Sequence, residues 1–150
     1  MKKVFFALSL LLATTVLSAG KPSEVNEKVL KVFNETFTHP KDVNWHEYED
    51  YYEVSFSQDE IKTQVRYDSD GNVLGTIRYY SEKQLQPHIL AKLKMRYPDR
   101  TIHGMITEIF SETDLQYYIT MEDEKHWYTV VSNALGYLEQ TEKFKKAPTK

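Results

Sequence analysis

The sequence predicts an α+β fold of two tandem repeats, each a helix followed by four antiparallel strands, with the helices packed on one face of the sheet. A helical pattern of apolar residues occurs twice, 60 positions apart, at Val25, Val29, Leu30, Phe33 and Phe37 and at Leu85, Ile89, Leu90, Leu93 and Tyr97. A strand pattern occurs twice, 65 positions apart, at Tyr52, Val54, Phe56, Val65, Gly71 and Val73 and at Tyr117, Ile119, Met121, Val130, Gly136 and Leu138. Because the offset grows between helix and strands, we expect about five extra residues near the first hairpin of the second copy.

The first 20 residues have the pattern of a secretory signal peptide. Lys2 and Lys3 precede an apolar run over residues 4–17, and small residues follow it. The run is shorter than the ~20 residues that span a bilayer, so we expect no membrane association after cleavage and a periplasmic or secreted protein. The predicted division is a signal peptide at 1–20, repeats at 21–80 and 81–144, and a disordered tail at 145–150.

The composition excludes a lipid anchor, disulfide bonds and one class of partner. The chain has no cysteine, which rules out a lipid-modified cysteine and disulfides. Its net charge of −3 becomes −5 once Lys2 and Lys3 are removed with the signal peptide. Nucleic acid is therefore not expected as a partner, because phosphate binding needs clustered basic residues. The one basic cluster, at Lys143, Lys145, Lys146 and Lys150, is interpreted as a solvated chain end.

The first copy begins with a helix within residues 22–37, with Ser23 as its N-cap and His39-Pro40 after its end. From Val43 onward the period changes to two, which indicates strands. The residues expected to point inward are Val43, Trp45, Tyr52, Val54, Phe56, Ile61, Thr63, Val65, Tyr67, Val73, Gly75, Ile77 and Tyr79.

The second copy begins with a helix capped by Ser81 and ended by Tyr97-Pro98. Pro87 lies in its first turns, which predicts a late start or a kink. Strands are expected at 101–110, 115–122, 125–132 and 136–143. Because one helix is too small to cover both faces of four strands, the other sheet face should remain open and available for binding.

No motif indicates catalysis, a metal site or a cofactor, and we predict a protein that is not an enzyme. Asp68, Asp70 and Asn72 are spaced like the start of a calcium loop, but Tyr79 stands where the bidentate glutamate is needed, so a hairpin turn is expected. None of the five histidines lies four residues from another. Only the fold could bring His46 and His103 together, since both are in first strands.

Aromatic and arginine side chains are the candidate partner-binding residues. Tyr52, Tyr67, Tyr117 and Tyr128 should pack beneath the helices. The opposite phase carries the predicted binding set: Tyr51, Arg66, Arg78, Tyr80, Tyr118 and Trp127. Tyr, Trp and Arg dominate the energetics of protein interfaces. Alternatively, these rings only shield one another across strands, and a one-residue slip would exchange the two faces.

The chain resembles the PepSY-like, β-lactamase-inhibitor-like family of small exported proteins common in Bacteroidetes. The resemblance rests on Val43-Asn44-Trp45, on Tyr52, Val54 and Phe56, on Tyr67-Asp68-x-Asp70-Gly71, and on the segment from Leu85 to Tyr97-Pro98. The second copy departs from it, with Ser132-Asn133-Ala134-Leu135-Gly136 in place of an Asp-Gly turn. The resemblance implies a noncatalytic protein whose sheet grips a partner.

The leading interpretation is an exported, non-enzymatic module that binds an unidentified protein or peptide through the open sheet face, with inhibition as one form of that binding. Two alternatives remain open. One is a periplasmic carrier that holds a small ligand between sheet and helices, which requires a cavity lined by inward Tyr and Phe residues. The other is a regulator or chaperone of an envelope peptidase.

Overall fold

The structure is a computed structural model and describes residues 25–147. The predicted signal peptide and the predicted cap at Ser23 lie outside the described residues. The helices are α1 (Glu27–Thr36) and α2 (Pro87–Arg96), with a short 3-10 helix at Glu82–Gln84. The strands are β1 (Lys41–Glu47), β2 (Tyr52–Gln58), β3 (Ile61–Tyr67), β4 (Val73–Tyr80), β5 (Thr101–Ile102), β6 (Ile106–Ser111), β7 (Asp114–Glu122), β8 (His126–Asn133) and β9 (Leu138–Lys145).

All nine strands belong to one antiparallel sheet, which confirms the α+β class. Its order is β1-β2-β3-β4-β6-β7-β8-β9, and the short β5 pairs with β7 beyond the end of β6. Pairing of β4 with β6, from Gly75 with Ser111 to Tyr80 with Ile106, joins the two halves of the chain. The sheet is therefore continuous across the boundary between the two halves.

Helix α1 covers the first half of the sheet with the face that the sequence predicts. Val29 and Phe33 are buried in a cluster with Val54, Phe56, Val65 and Tyr67. The Phe33 ring lies 5.2 Å from the Trp45 ring and 5.3 Å from the Phe56 ring. The N-cap is Asn26, whose side chain accepts a hydrogen bond from the Lys28 backbone N–H.

Helix α2 covers the second half and starts late, as Pro87 predicts. Ser81 precedes the 3-10 helix instead, and Pro87 occupies the first turn of α2, where a missing N–H costs no hydrogen bond. Ile89 and Leu93 are fully buried in a cluster that also contains Tyr117 and Tyr128. These tyrosines, with Tyr52 and Tyr67 under α1, confirm the prediction that four tyrosines pack beneath the helices.

The segment at Asp68 is a hairpin turn, as predicted. The Asp68 carboxylate accepts hydrogen bonds from the backbone N–H groups of Asp70 and Asn72. Gly71 has φ +88°, and an added Cβ would lie 3.0 Å from Val32 Cγ2 of α1. The turn is therefore packed against the helix, and the Lys28–Asp70 ion pair of 2.9 Å also joins them.

The predicted phase of β4 is wrong from Gly75 onward. Tyr67 pairs with Val73, whereas Arg66 pairs with Gly75, so Leu74 is an extra, bulged residue. A bulge of one residue moves every later side chain to the other face. Thr76, Arg78 and Tyr80 consequently lie on the helix side, and Gly75, Ile77 and Tyr79 on the other.

The predicted tail boundary is also wrong. Lys145 is the last residue of β9 and pairs with His126. The Lys146 backbone N–H donates to the Lys125 carbonyl, and its ammonium donates to Glu122. Local contacts with the neighbouring strands thus keep these two lysines in the fold. Within residues 25–147, no helix is long and apolar enough to cross a membrane.

We expect Phe33→Ala to lower the free energy of unfolding by about 3 to 5 kcal/mol, because it leaves a cavity among the rings beneath α1. Urea denaturation followed by circular dichroism measures the change. Met95→Ala is the control, since Met95 is 81% exposed and should change stability little. Equal losses for both variants would contradict the assignment of Phe33 to the core.

Candidate binding surface

The open face is the sheet face opposite α1 and α2. The strand register arranges the residues of this face in rows that cross the strands. One row runs through Glu53, Arg66, Gly75 and Ser111. The next row runs through Gln64, Ile77, Ile109 and Gln116. A third row runs through Lys62, Tyr79, Thr107, Tyr118 and Val131. Both helices pack on the other side, so neither covers these rows.

An aromatic and charged cluster lies at the β1 end of the open face. The Tyr51 ring stacks on the Tyr48 ring at 4.5 Å, and the Arg66 guanidinium lies 5.3 Å from the Tyr51 ring centroid. Arg66 Nε donates to Glu53 at 2.8 Å, and this hydrogen bond raises the pKa of Arg66. The carboxylate and the ring thus hold a half-exposed arginine in one orientation.

A shallow depression of about 300 Å³ lies beside this cluster. Gly75 forms part of its floor because it has no side chain, and an added Cβ would lie 3.0 Å from the Phe110 carbonyl oxygen. Ile77 and Ile109 supply apolar walls, and Arg66 lies at the rim. The depression is large enough to accept one side chain of a partner.

Tyr118 lies on the open face in β7, which is between β3 and β8 in the sheet order. Its side chain is 38% exposed, and its hydroxyl donates to Gln116 Oε1 at 2.9 Å. The ring is therefore accessible but has a fixed polar end. This is the combination that makes tyrosine effective at interfaces.

A second cluster surrounds Trp127 at the other end. The His103 ring meets the indole edge-on at 4.4 Å, and the Lys146 ammonium lies 4.3 Å from the indole centroid. Glu122 accepts hydrogen bonds from both Lys146, at 2.5 Å, and His103, at 3.0 Å. These bonds, that from Lys146 above all, lower the pKa of Glu122.

Arg78 and Tyr80 do not belong to the open face, which corrects their predicted placement. Tyr80 is 1% exposed, and its hydroxyl donates to Glu108 Oε2 at 2.5 Å. Arg78 Nη1 donates to the other oxygen of Glu108 at 2.9 Å. Burial raises the pKa of Tyr80, and its hydrogen bond to Glu108 adds to this. Both residues therefore stabilise a buried carboxylate between the two halves.

The predicted binding set is thus divided. Tyr51, Arg66, Tyr118 and Trp127 lie on the open face, with Tyr51 and Arg66 in one cluster, Trp127 in the other and Tyr118 between them. Sequence reasoning missed Tyr48, Gly75, His103, Glu122 and Lys146, which complete those clusters. From the sequence, Lys146 is interpreted as part of a basic chain end and His103 is weighed as a metal ligand, but neither is predicted as a binding residue. The partner of Lys146, Glu122, is 24 residues away in the sequence.

The histidines do not assemble a metal site. His46 is in the edge strand β1, and the His103 N–H bonds to β7, so strands β2, β3, β4 and β6 separate them. Among residues 25–147 there is no group of three or more His, Cys, Asp or Glu side chains that could hold a metal ion.

We expect Tyr80→Phe to lower the free energy of unfolding by about 1 to 3 kcal/mol, because one oxygen of a buried carboxylate loses its donor. Tyr118→Phe removes an exposed hydroxyl and should cost under about 0.5 kcal/mol. Thermal and urea unfolding of both variants measure the difference. A larger effect at Tyr118 would contradict the assignment of the two sheet faces.

We expect the pKa of Glu122 to lie below its ordinary value of 4.5 and to rise toward it in Lys146→Gln. A lowered folded-state pKa adds stability above pH 4.5, which is lost as the pH falls through the folded pKa. NMR titration of the carboxyl carbon measures both values. An unchanged pKa in the variant would show that Lys146 does not hold the carboxylate.

Three solved structures share the fold of this chain. A BLIP-like protein from Bacteroides fragilis is 14% identical with a TM-score of 0.56, and the match covers 89% of this chain and 92% of that one. A DUF2874 family protein from Bacteroides ovatus is 14% identical with a TM-score of 0.56, covering 84% and 89%. A candidate periplasmic protein from Bacteroides eggerthii is 12% identical with a TM-score of 0.55, covering 81% and 88%.

Two other comparisons gave nothing: no protein-family model matches the chain, and no curated protein matches it significantly. Likeness at such low identity establishes architecture and leaves activity open. The chain therefore shares its fold with BLIP-like and DUF2874 proteins of Bacteroides.

Proposed function

We propose that this chain is an exported, non-enzymatic module that binds a protein or peptide through its open sheet face. The observation that carries the proposal is a sheet continuous across the two halves, with helices on one side and aromatic clusters on the other. Tyr118 lies between these clusters and is 38% exposed. Such a surface offers a partner several contact points at fixed spacing.

The ion pairs within the clusters favour binding over mere shielding of the rings. Glu53 holds Arg66, and Glu122 holds both Lys146 and His103. A side chain that is already fixed loses less conformational entropy when a partner binds. The clusters are thus preorganised for contact, and the depression at Gly75 offers a site for an anchoring side chain.

The BLIP-like neighbour supports an inhibitor-like mode of binding, in which the sheet grips a partner. The candidate periplasmic neighbour and the signal-peptide pattern of residues 1–20 support export. The resemblance to PepSY-like proteins supports an envelope peptidase as the partner, which the chain would regulate by binding it. In each case the partner is a polypeptide held by the open face.

We also interpret the two halves as tandem repeats, at 21–80 and 81–144. Support comes from the two hairpin turns that face the helices. Asn133 accepts backbone hydrogen bonds from Leu135 and Tyr137, just as Asp68 does from Asp70 and Asn72. On the turn side of Tyr117, which corresponds to Tyr52, the β6–β7 hairpin is longer than the β1–β2 hairpin, because its strands remain paired as far as Ser111 and Asp114. This difference accounts for most of the extra residues expected in the second copy.

Packing beneath α1 argues against a small-ligand carrier. The rings of Phe33, Phe37, Trp45 and Phe56 meet at centroid distances of 4.5 to 5.3 Å. Little space remains there for a ligand between helix and sheet. The carrier thus has less support than the binding module.

We expect Tyr118→Ala and Trp127→Ala each to weaken partner binding by about 1 to 4 kcal/mol while the chain stays folded. Residues 21–150 serve as bait for envelope and medium proteins of the native host, and mass spectrometry identifies what is retained. The affinity of the purified partner for each variant is then measured by calorimetry.

The matched control is Val73→Ala, which truncates a 43% exposed apolar residue on the helix side of β4. It should leave binding unchanged. A partner lost with Val73→Ala but retained by both aromatic variants would place the binding site on the other face. Unfolding of the aromatic variants, seen by circular dichroism, would show that these rings serve the fold.

A further inference from the structure

A row of unpaired cations runs along the helix side of the sheet at its β9 edge. We call it the basic strip, and it consists of Lys92, Arg96, Arg100 and Lys143. Lys92 and Arg96 lie beside Leu138 at the start of β9. Arg100 Nη1 donates to Gln140 Oε1 at 2.8 Å, and Lys143 follows on the same strand. The four cations thus follow β9 from its start toward its end.

In the part of the chain that the structure describes, the basic strip groups four cations that have no carboxylate partner, whereas the other lysines without an ion pair, Lys41, Lys62, Lys83, Lys125 and Lys145, are not part of this row. Within residues 25–147, Lys28, Lys31, Arg66, Arg78, Lys94 and Lys146 are each in an ion pair, and none of the four strip residues is. This occurs in a chain with a net charge of −3. Grouped positive charge that the protein leaves uncompensated points to an acidic partner.

Tyrosine rings hold the strip in place. The Arg100 guanidinium lies 3.4 Å from the Tyr128 ring centroid and 4.5 Å from that of Tyr97. Lys143 lies 5.6 Å from the same Tyr128 ring, and Lys92 lies 5.7 Å from the ring of Tyr137. The rings fix the positive charges without neutralising them.

An apolar depression of about 420 Å³ adjoins the strip. Its lining includes Met95 and Tyr137, which are 81% and 71% exposed, and Leu138. Lys92 and Arg96 belong to the same lining. A partner that fits here combines an apolar side chain with nearby negative charge.

Strand β9 supplies the third element, because it ends the sheet and pairs only with β8 among the described strands. Its outer edge therefore presents backbone groups that a further strand could pair with. Its helix side carries Leu138, Gln140 and Lys143, whereas Glu139 and Glu142 lie on the open face. An added strand thus meets positive charge on one side and negative charge on the other.

We propose that the β9 edge is a second docking site, distinct from the open face, for an acidic extended polypeptide segment. The segment pairs with β9 as a tenth strand, directs alternate Asp or Glu side chains over the basic strip, and inserts an apolar side chain into the adjoining depression. A polypeptide fits better than a polyanion of another kind because only a peptide backbone satisfies the free edge.

The probe is a fluorescein-labelled peptide of about ten residues, the length of a long strand, with alternating Glu and Thr and a Leu at each end. Fluorescence anisotropy with the mature chain at low ionic strength should show saturable binding that weakens as salt is added. The double variant Arg96→Gln/Lys143→Gln should bind the probe about five- to tenfold more weakly. Absence of saturable binding to the unmodified chain would overturn the proposal.

The matched control is Lys31→Gln/Lys41→Gln, which removes two exposed cations from the other half and should leave probe affinity unchanged. Equal weakening in both double variants would show a general charge effect and overturn the site. A probe N-methylated at alternate backbone positions should lose binding, and undiminished binding would overturn strand addition in favour of an anionic polymer. Tyr118→Ala should bind the probe normally, so this test is independent of the open face.

Discussion

The pairing of β4 with β6 is the constraint on which the architecture depends. Its register places Arg78 directly opposite Glu108, and Tyr80 reaches the same carboxylate from the next inward position. Glu108 is 8% exposed, and a buried carboxylate that loses its partners is costly. A slip of one residue would separate all three groups, so this ladder is fixed by charge as well as by apolar burial. The relative position of the two halves follows from it.

The β4–β6 pairing brings residues of both halves onto one open face. Tyr51 and Arg66 belong to the first half, whereas Tyr118 and Trp127 belong to the second. Because the sheet runs unbroken between them, the two aromatic clusters keep a constant separation without any contact of their own. The β9 edge lies beyond the second cluster and carries charge on its other side. One sheet thus presents two chemically different surfaces, one aromatic with paired charges and one basic with an open backbone edge.

Local periodicity predicted much of this fold, and long-range contacts account for what it missed. The buried faces of both helices, the inward tyrosines and the turn at Asp68 all follow from spacing of a few residues. The phase of β4 does not, because the bulge at Leu74 is set by pairing with β3 and leaves no local mark. Arg78 and Tyr80 were misplaced for that reason. Lys146 was assigned to a tail because its partner, Glu122, is remote in sequence.

The strand order has a kinetic consequence. Apart from the helical crossover between β4 and β6, neighbouring strands in the sheet are neighbours in the chain, and even β4 and β6 pair residues no farther apart than Gly75 and Ser111. Pairing between strands that follow one another in the chain favours rapid folding of each hairpin, since only a short turn must close before pairing begins. The chain has no cysteine, so no disulfide can lock an intermediate, and each hairpin depends on its own strand pairing and on packing against a helix. We expect the hairpins within each half to form first and the β4–β6 ladder to close afterward, because that ladder joins residues farther apart in the sequence.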